Sequence, residues 1–242
     1  MTWNKHQVRV IWSLVNRGKE YDWVTSEKDQ EALRDLVPNL QPELFKGDPG
    51  VVNRKLREQL SNFLRDGNAP ERHALAKWII ARWGRIGTNK PETVTKYIRE
   101  LGNFEPTAVT TFIGRQGTNG ISSWSKMIAF ADPANHAIYD SRTAVALNCV
   151  LAHIGNMSAF AMPPGRGTNV RAATDRLQQQ RRKNDVRGAW LGYEDYITLL
   201  KQFVELEAHD APQDLLAAEM VVFANSDAIT SDFCNGAKAP RT

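Results

Sequence analysis

From residue 70 to residue 155, prolines open and glycines close one amphipathic segment after another, at a spacing that suits only helices. Pro70 begins a run in which Leu75, Trp78, Ile79 and Trp83 share a face, and Gly84 ends it. Pro91–Leu101 stops at Gly102, and Pro106–Ile113 stops at Gly114. Proline is tolerated in a first turn, where its missing N–H costs no helical bond, and glycine is favoured just past a last turn. The same period extends outward. Trp3–Arg17 places Val8, Ile11, Trp12 and Val15 on one face before Gly18, and Glu27–Val37 and Val51–Arg65 are two further helices. Tyr193–Glu207 sets Tyr193, Tyr196, Ile197, Leu200, Phe203 and Val204 in helical register, and Pro212–Ala224 carries Leu216, Met220 and Phe223. No run shows sustained strand alternation and no repeat is visible, so the fold class is all-α.

Composition narrows the function. The 242 residues are 42% hydrophobic and 24% charged, enough to bury one large core or two packed lobes. No apolar run spans a bilayer and the first residues lack a signal-peptide layout, which predicts a cytoplasmic protein away from membranes. The cysteines are Cys149, inside a helical pattern, and Cys234, in an expected tail. Two thiols cannot supply a four-cysteine iron–sulfur cluster. His6, His73, His136, His153 and His209 show no ligand spacing, so no metal site is expected. A net charge of +4 and a pI near 9.1 are compatible with nucleic acid without requiring it. Arg171–Arg187, with Arg176, Arg181, Arg182, Lys183 and Arg187, reads as a basic helix with a solvated face.

Chemistry concentrates between residues 106 and 147. Two short helices, Pro106–Ile113 and Ser122–Ala131, are joined by a turn carrying Gly114, Gly117 and Gly120. Amides at the start of the second helix can hold a phosphate, aided by the helix dipole. Pro133 then breaks the chain, and Asp140 precedes Ser141-Arg142-Thr143-Ala144 at an N-cap position, opening a helix with Ala144, Leu147, Leu151 and Ile154 on one face. A carboxylate fixed at a helix start can face a cationic transition state or orient an attacking water. Phosphate-binding amides close in sequence to such a carboxylate fit a protein that grips DNA and attacks a sugar.

Gly120-Ile121-Ser122, the helix after it and Ile138-Tyr139-Asp140-Ser141-Arg142 resemble the helix-hairpin-helix DNA glycosylase superfamily, and within it the bacterial proteins related to 8-oxoguanine DNA glycosylase. The likeness covers roughly residues 70–155, with the helices of Tyr193–Phe223 agreeing more loosely. It implies a two-lobed fold with the active-site cleft between the lobes: a central lobe of residues 67–158, a second lobe of residues 1–66 and 159–242, and a loose tail after about residue 225. It also implies a monomer acting on double-stranded DNA that contains a modified base, with Asp140 catalytic. Gly117, Gly120, Ser122, Ser123, Ser125 and Arg142 would contact DNA, and the hairpin carbonyls can hold a monovalent cation.

Two positions depart from the family pattern. The hairpin's last glycine is Ser122, and the family's Schiff-base lysine position holds Trp124, with Lys126 two residues further on. Two residues turn a helical side chain well away, so Lys126 reads first as an exposed lysine and only second as a lyase nucleophile. A monofunctional enzyme that leaves an abasic site is expected. The base pocket would draw on Trp124, Glu219 and Phe223, with Trp78, Trp83 and Trp190 as further aromatic candidates. An oxidised purine is the substrate that the resemblance implies. A hypermodified phage pyrimidine, such as glucosylated hydroxymethylcytosine in an anti-phage role, is the alternative. A non-catalytic hairpin module that binds DNA, and a glycosylase/lyase using Lys126, are the competing functions.

Overall fold

A computed structural model describes residues 3–37, 40–87, 89–156, 158–165, 167–183 and 189–236. Among the described residues helices dominate, as the punctuation requires, and the strand content is one two-residue pair. The chain divides into two compact units, Asp22–Ile138 and Met1–Tyr21 with Tyr139–Thr242. These bounds differ from the expected 67–158 lobe at both ends. The cause is side-chain burial on two helices, described below, that pairs residues 49–66 with residues 121–131 and residues 141–153 with the C-terminal helices.

The first helix, α1 (Lys5–Val15), starts from an Asn4–Gln7 capping box and buries Val8, Ile11, Trp12 and Val15, the face read from sequence. The Asp22–Ile138 unit follows with α2 (Glu27–Leu36), a 3₁₀ turn at Pro42–Phe45, α3 (Pro49–Asp66) and α4 (Ala69–Trp78). A π-helical turn, Ile79–Trp83, extends α4. Next come α5 (Pro91–Leu101), α6 (Pro106–Gln116) and α7 (Ile121–Ala131). Leu56, Leu60 and Leu64, four residues apart on α3, are fully buried, and α3 packs along α7. Between them Arg57 is also fully buried, its guanidinium 5.8 Å from the Trp83 ring and 5.3 Å from the Phe130 ring.

Gly114 is not the end of α6. The helix runs one turn further, to Gln116, and Gly117 at φ +54° is the residue that terminates it. Gln116 is buried and its Nε2 donates to Glu100 Oε2 at 3.2 Å, which anchors the extra turn.

The other unit is built on α8 (Ser141–His153), in which every residue from Thr143 to Leu151 is buried. A helix apolar all round is a central one, and α8 packs against α11 (Leu215–Asn235), α9 (Thr168–Lys183) and α1. Between α8 and α9 lies strand β1 (Ala159–Phe160), paired in parallel with β2 (Trp190–Leu191), and α10 (Tyr193–Val204) follows. Asn148 of α8 ties the ribbon in place: its side chain donates to Phe160 O at 2.8 Å and accepts from Phe160 N at 2.7 Å.

The expected tail after residue 225 is helix. Asn225, Ser226 and Thr230 are buried polar residues that look like a loop in sequence, yet each donates back to the helix, to Val221 O, Phe223 O and Ser226 O at 2.7–2.9 Å. Cys234 therefore sits in the last turn of α11 rather than in a tail.

Candidate active site

Asp140 is the N-cap of α8. Its backbone is extended, and its Oδ1 accepts the amides of Arg142 at 2.9 Å and Thr143 at 3.1 Å. Thr143 Oγ1 accepts the Asp140 amide at 3.1 Å, which closes the capping box. Both amide bonds fall on one oxygen, so Oδ2 has no hydrogen-bond partner among the described residues. The carboxylate is half-buried, fixed in direction, and keeps one oxygen for another task.

Its surroundings within the same unit are aromatic and acidic. Tyr139 is fully buried, donates its hydroxyl to Ala161 O, and meets Tyr196 edge-on at 5.1 Å. Burial pushes the Tyr196 phenol well above its ordinary range, and the nearby carboxylates of Glu219 and Asp140 push it further. The Tyr139 phenol is raised by burial and then by Asp195. Both rings thus keep their protons and face the acids as neutral groups. Glu219 of α11 is only 3% exposed, the one charged side chain among that helix's buried residues. One turn on, Phe223 is half-buried beneath Arg142, whose guanidinium lies 5.3 Å from the ring, and Tyr21 packs against it at 5.8 Å. The start of α8 thus gathers Asp140, Arg142, Phe223, Tyr21 and the Tyr196–Glu219 pair. Sequence reading singled out neither Tyr21 nor the tyrosine cluster as site residues. Tyr193 and Tyr196, three apart on α10, read only as an apolar face.

The hairpin belongs to the other unit. Gly117 at φ +54° and Gly120 at φ +67° bound the turn between α6 and α7. A Cβ on Gly120 would stand 2.1 Å from the Tyr97 hydroxyl, so both φ and space demand glycine there. Gly120 caps α7 without a side-chain bond, and the amides of Gly120 and Ser122 have no backbone acceptor among the described residues. These amides lie at the exposed end of the helix.

Three expected DNA or base contacts are structural instead. Ser123 is buried and accepts from Asn89 Nδ2 at 2.6 Å, and Ser125 is fully buried. Trp124, expected in the base pocket, is 0% exposed. Its Nε1 donates to Asn119 O at 2.9 Å and its ring meets Phe112 edge-on, so it staples the turn to the core. The cause is that α7 is enclosed on every side: Ile121 and all residues from Ser123 to Ala131 are buried, which leaves only Gly120 and Ser122 outside the core at its start. Trp78 and Trp83 are likewise core.

Lys126 is not the exposed lysine read from sequence. It is 4% exposed, and its Nζ donates to Ser122 O at 2.9 Å. A Cβ on Gly84 would approach Lys126 Cδ and Cε at 2.7 and 2.8 Å, so the bare glycine after the π turn is the slot for the lysine stem. Nothing in the one-letter pattern couples residues 84 and 126; the π turn that aims Gly84 inward has no sequence signature.

Among the described residues no group of three or more His, Cys, Asp or Glu is arranged to hold a metal, and no helix is long and apolar enough to cross a membrane. No family model, curated protein or solved structure matches the chain.

Proposed function

We propose that this chain is a DNA N-glycosylase acting through Asp140 on double-stranded DNA with a modified base. The observation that carries the reading is the split use of the Asp140 carboxylate, with Oδ1 spent on two helix amides and Oδ2 left over. In base excision the C1′–N bond lengthens and positive charge builds on the deoxyribose. A fixed carboxylate stabilises that charge as it develops, without reorganising. Oδ2 is also placed to orient a water whose oxygen bonds to C1′ while the base departs with a proton.

The other parts fit the same reaction. The open amides of Gly120 and Ser122 suit a DNA phosphate, as helix starts do, and Arg142 adds a cation to the α8 start. Phe223, half-buried beneath Arg142, is the aromatic surface that an extruded base would meet, with Glu219 one turn away on α11, whether the base is an oxidised purine or a hypermodified pyrimidine. Lys126 we assign a positioning role at the hairpin rather than that of a Schiff-base nucleophile, because its ammonium already holds the Ser122 carbonyl.

The test is abasic-site release from a panel of duplexes carrying oxidised, alkylated, deaminated and phage-type bases, run with and without borohydride. Release without a trapped covalent adduct is expected. A trapped adduct would transfer the chemistry to a lysine, and tight DNA binding without release from any duplex would leave a binding module.

A further inference from the structure

On the β1–β2 ribbon Ala159 is the register partner of Trp190. Paired residues on neighbouring strands project to the same face, so the Trp190 ring and the Ala159 methyl share one side. Ala159 lines a cavity of about 160 Å³ with apolar walls from Ala152, Met162 and Leu177 and a polar rim of Asn156, Gln180 and Arg181. Arg181 belongs to both features, for its guanidinium also lies 4.8 Å from the Trp190 ring. Despite that contact Trp190 is 64% exposed, the most exposed large hydrophobic side chain among the described residues.

A single exposed apolar residue is ordinary. An exposed indole with an arginine on one face, beside a cavity whose rim includes that same arginine, is a built surface. It offers a flat π face, a forked cation and two amide side chains. The next residue on α9, Arg182, is exposed and adds a second cation to that helix. A flat ring bearing a phosphate satisfies each element, since bases stack on indoles regardless of sequence and arginine pairs with phosphate through its planar fork.

We infer that Trp190, Arg181 and the adjoining cavity form a nucleotide site. The base stacks on the Trp190 face that Arg181 leaves open, the phosphate pairs with Arg181, and Asn156 and Gln180 meet the ligand's polar edge. This site is independent of Asp140 chemistry. The ligand has two sources, a free nucleotide or an unpaired nucleotide of a DNA strand.

Binding of deoxyadenosine monophosphate by calorimetry, and of a fluorescein-labelled single-stranded oligonucleotide by anisotropy, would be compared across the wild type, Trp190→Ala, Trp190→Phe and Arg181→Gln. Melting curves would confirm that each variant folds. Trp190→Ala should weaken the true ligand about tenfold, within the range for losing one stacked base. Trp190→Phe should restore most of that loss, and Arg181→Gln should weaken binding and flatten its salt dependence. Loss for the mononucleotide assigns a free ligand; loss for the oligonucleotide alone assigns an unpaired base. The inference is overturned if folded Trp190→Ala binds both probes like the wild type, if phenylalanine rescues neither, or if the wild type binds neither.

Discussion

Two helices of this chain begin in opposite ways. Helix α8 starts from Asp140, whose own carboxylate satisfies the Arg142 and Thr143 amides; α7 starts from Gly120, which has no side chain and leaves amides open. A helix start that supplies its own anion has little left to offer a phosphate, whereas an uncapped one invites an anion from outside. If the chain is the DNA glycosylase proposed above, the two starts would divide its work: backbone gripping would fall to Gly120 and Ser122, and Asp140 would keep an oxygen for chemistry. The same contrast runs through their supports. Residues 123–126 are buried to hold the hairpin's shape, whereas the Asp140 region draws side chains from α10, α11 and Tyr21, which follows α1.

The sharpest way to break this division is at Asp140. Asparagine caps a helix about as well as aspartate, so Asp140→Asn should keep the melting temperature and DNA affinity while cutting the excision rate by at least about 10²–10³. Asp140→Ala should lose the same activity and in addition about 1 kcal/mol of stability, read by denaturant unfolding.

At the hairpin, Gly120→Ala should cost about 1–2 kcal/mol for the left-handed backbone, plus the collision with the Tyr97 hydroxyl, and should weaken DNA binding. Adding Tyr97→Phe removes the colliding oxygen, so the double variant should recover the steric part alone. If Gly120→Ala bound DNA normally, the uncapped start would have no role in gripping.

The lysine slot gives a smaller effect. Gly84→Ala should destabilise by roughly 1–3 kcal/mol through overpacking on the Lys126 stem and the Ile80 carbonyl. Truncating the lysine should relieve part of this, and a double-mutant cycle would show the coupling.

A further effect lies away from both helix starts. Burial is the largest reason that the Cys149 thiol is pushed up to about 12. A thiol reagent at pH 8 should therefore modify Cys234 and spare Cys149 until the protein unfolds. Because the folded protein holds this proton more tightly than the unfolded chain, the associated stability is complete below about pH 8.5 and is lost as pH rises towards 12. A flat stability profile across that range would contradict it.

Features set by local chemistry were legible in the sequence. Pro91–Leu101 has the predicted limits, α1 buries the predicted face, and Asp140 caps the helix it was expected to cap. Features set by tertiary partners were not. Gly114 looked like a stop because glycine usually is one, but a buried Gln116 carried α6 past it. Asn225, Ser226 and Thr230 looked like a tail because their backbone-directed hydrogen bonds leave no apolar period. Lys126 looked exposed because its slot is made 42 residues earlier, by a glycine that a π turn aims inward. The serines and tryptophan after Gly120 illustrate a related limit: a motif shows which residues lie near a helix start, but the neighbours that enclose α7 on every side decide that Ser123, Trp124 and Ser125 are buried.

The most direct test of the central claim is the single-turnover excision rate of Asp140→Asn relative to wild type, on whichever duplex the wild type processes, at saturating enzyme and with both proteins folded. A fall of at least about 10²–10³ with unchanged DNA affinity is the predicted result. Wild-type turnover in the asparagine variant would contradict it and reduce Asp140 to a helix cap.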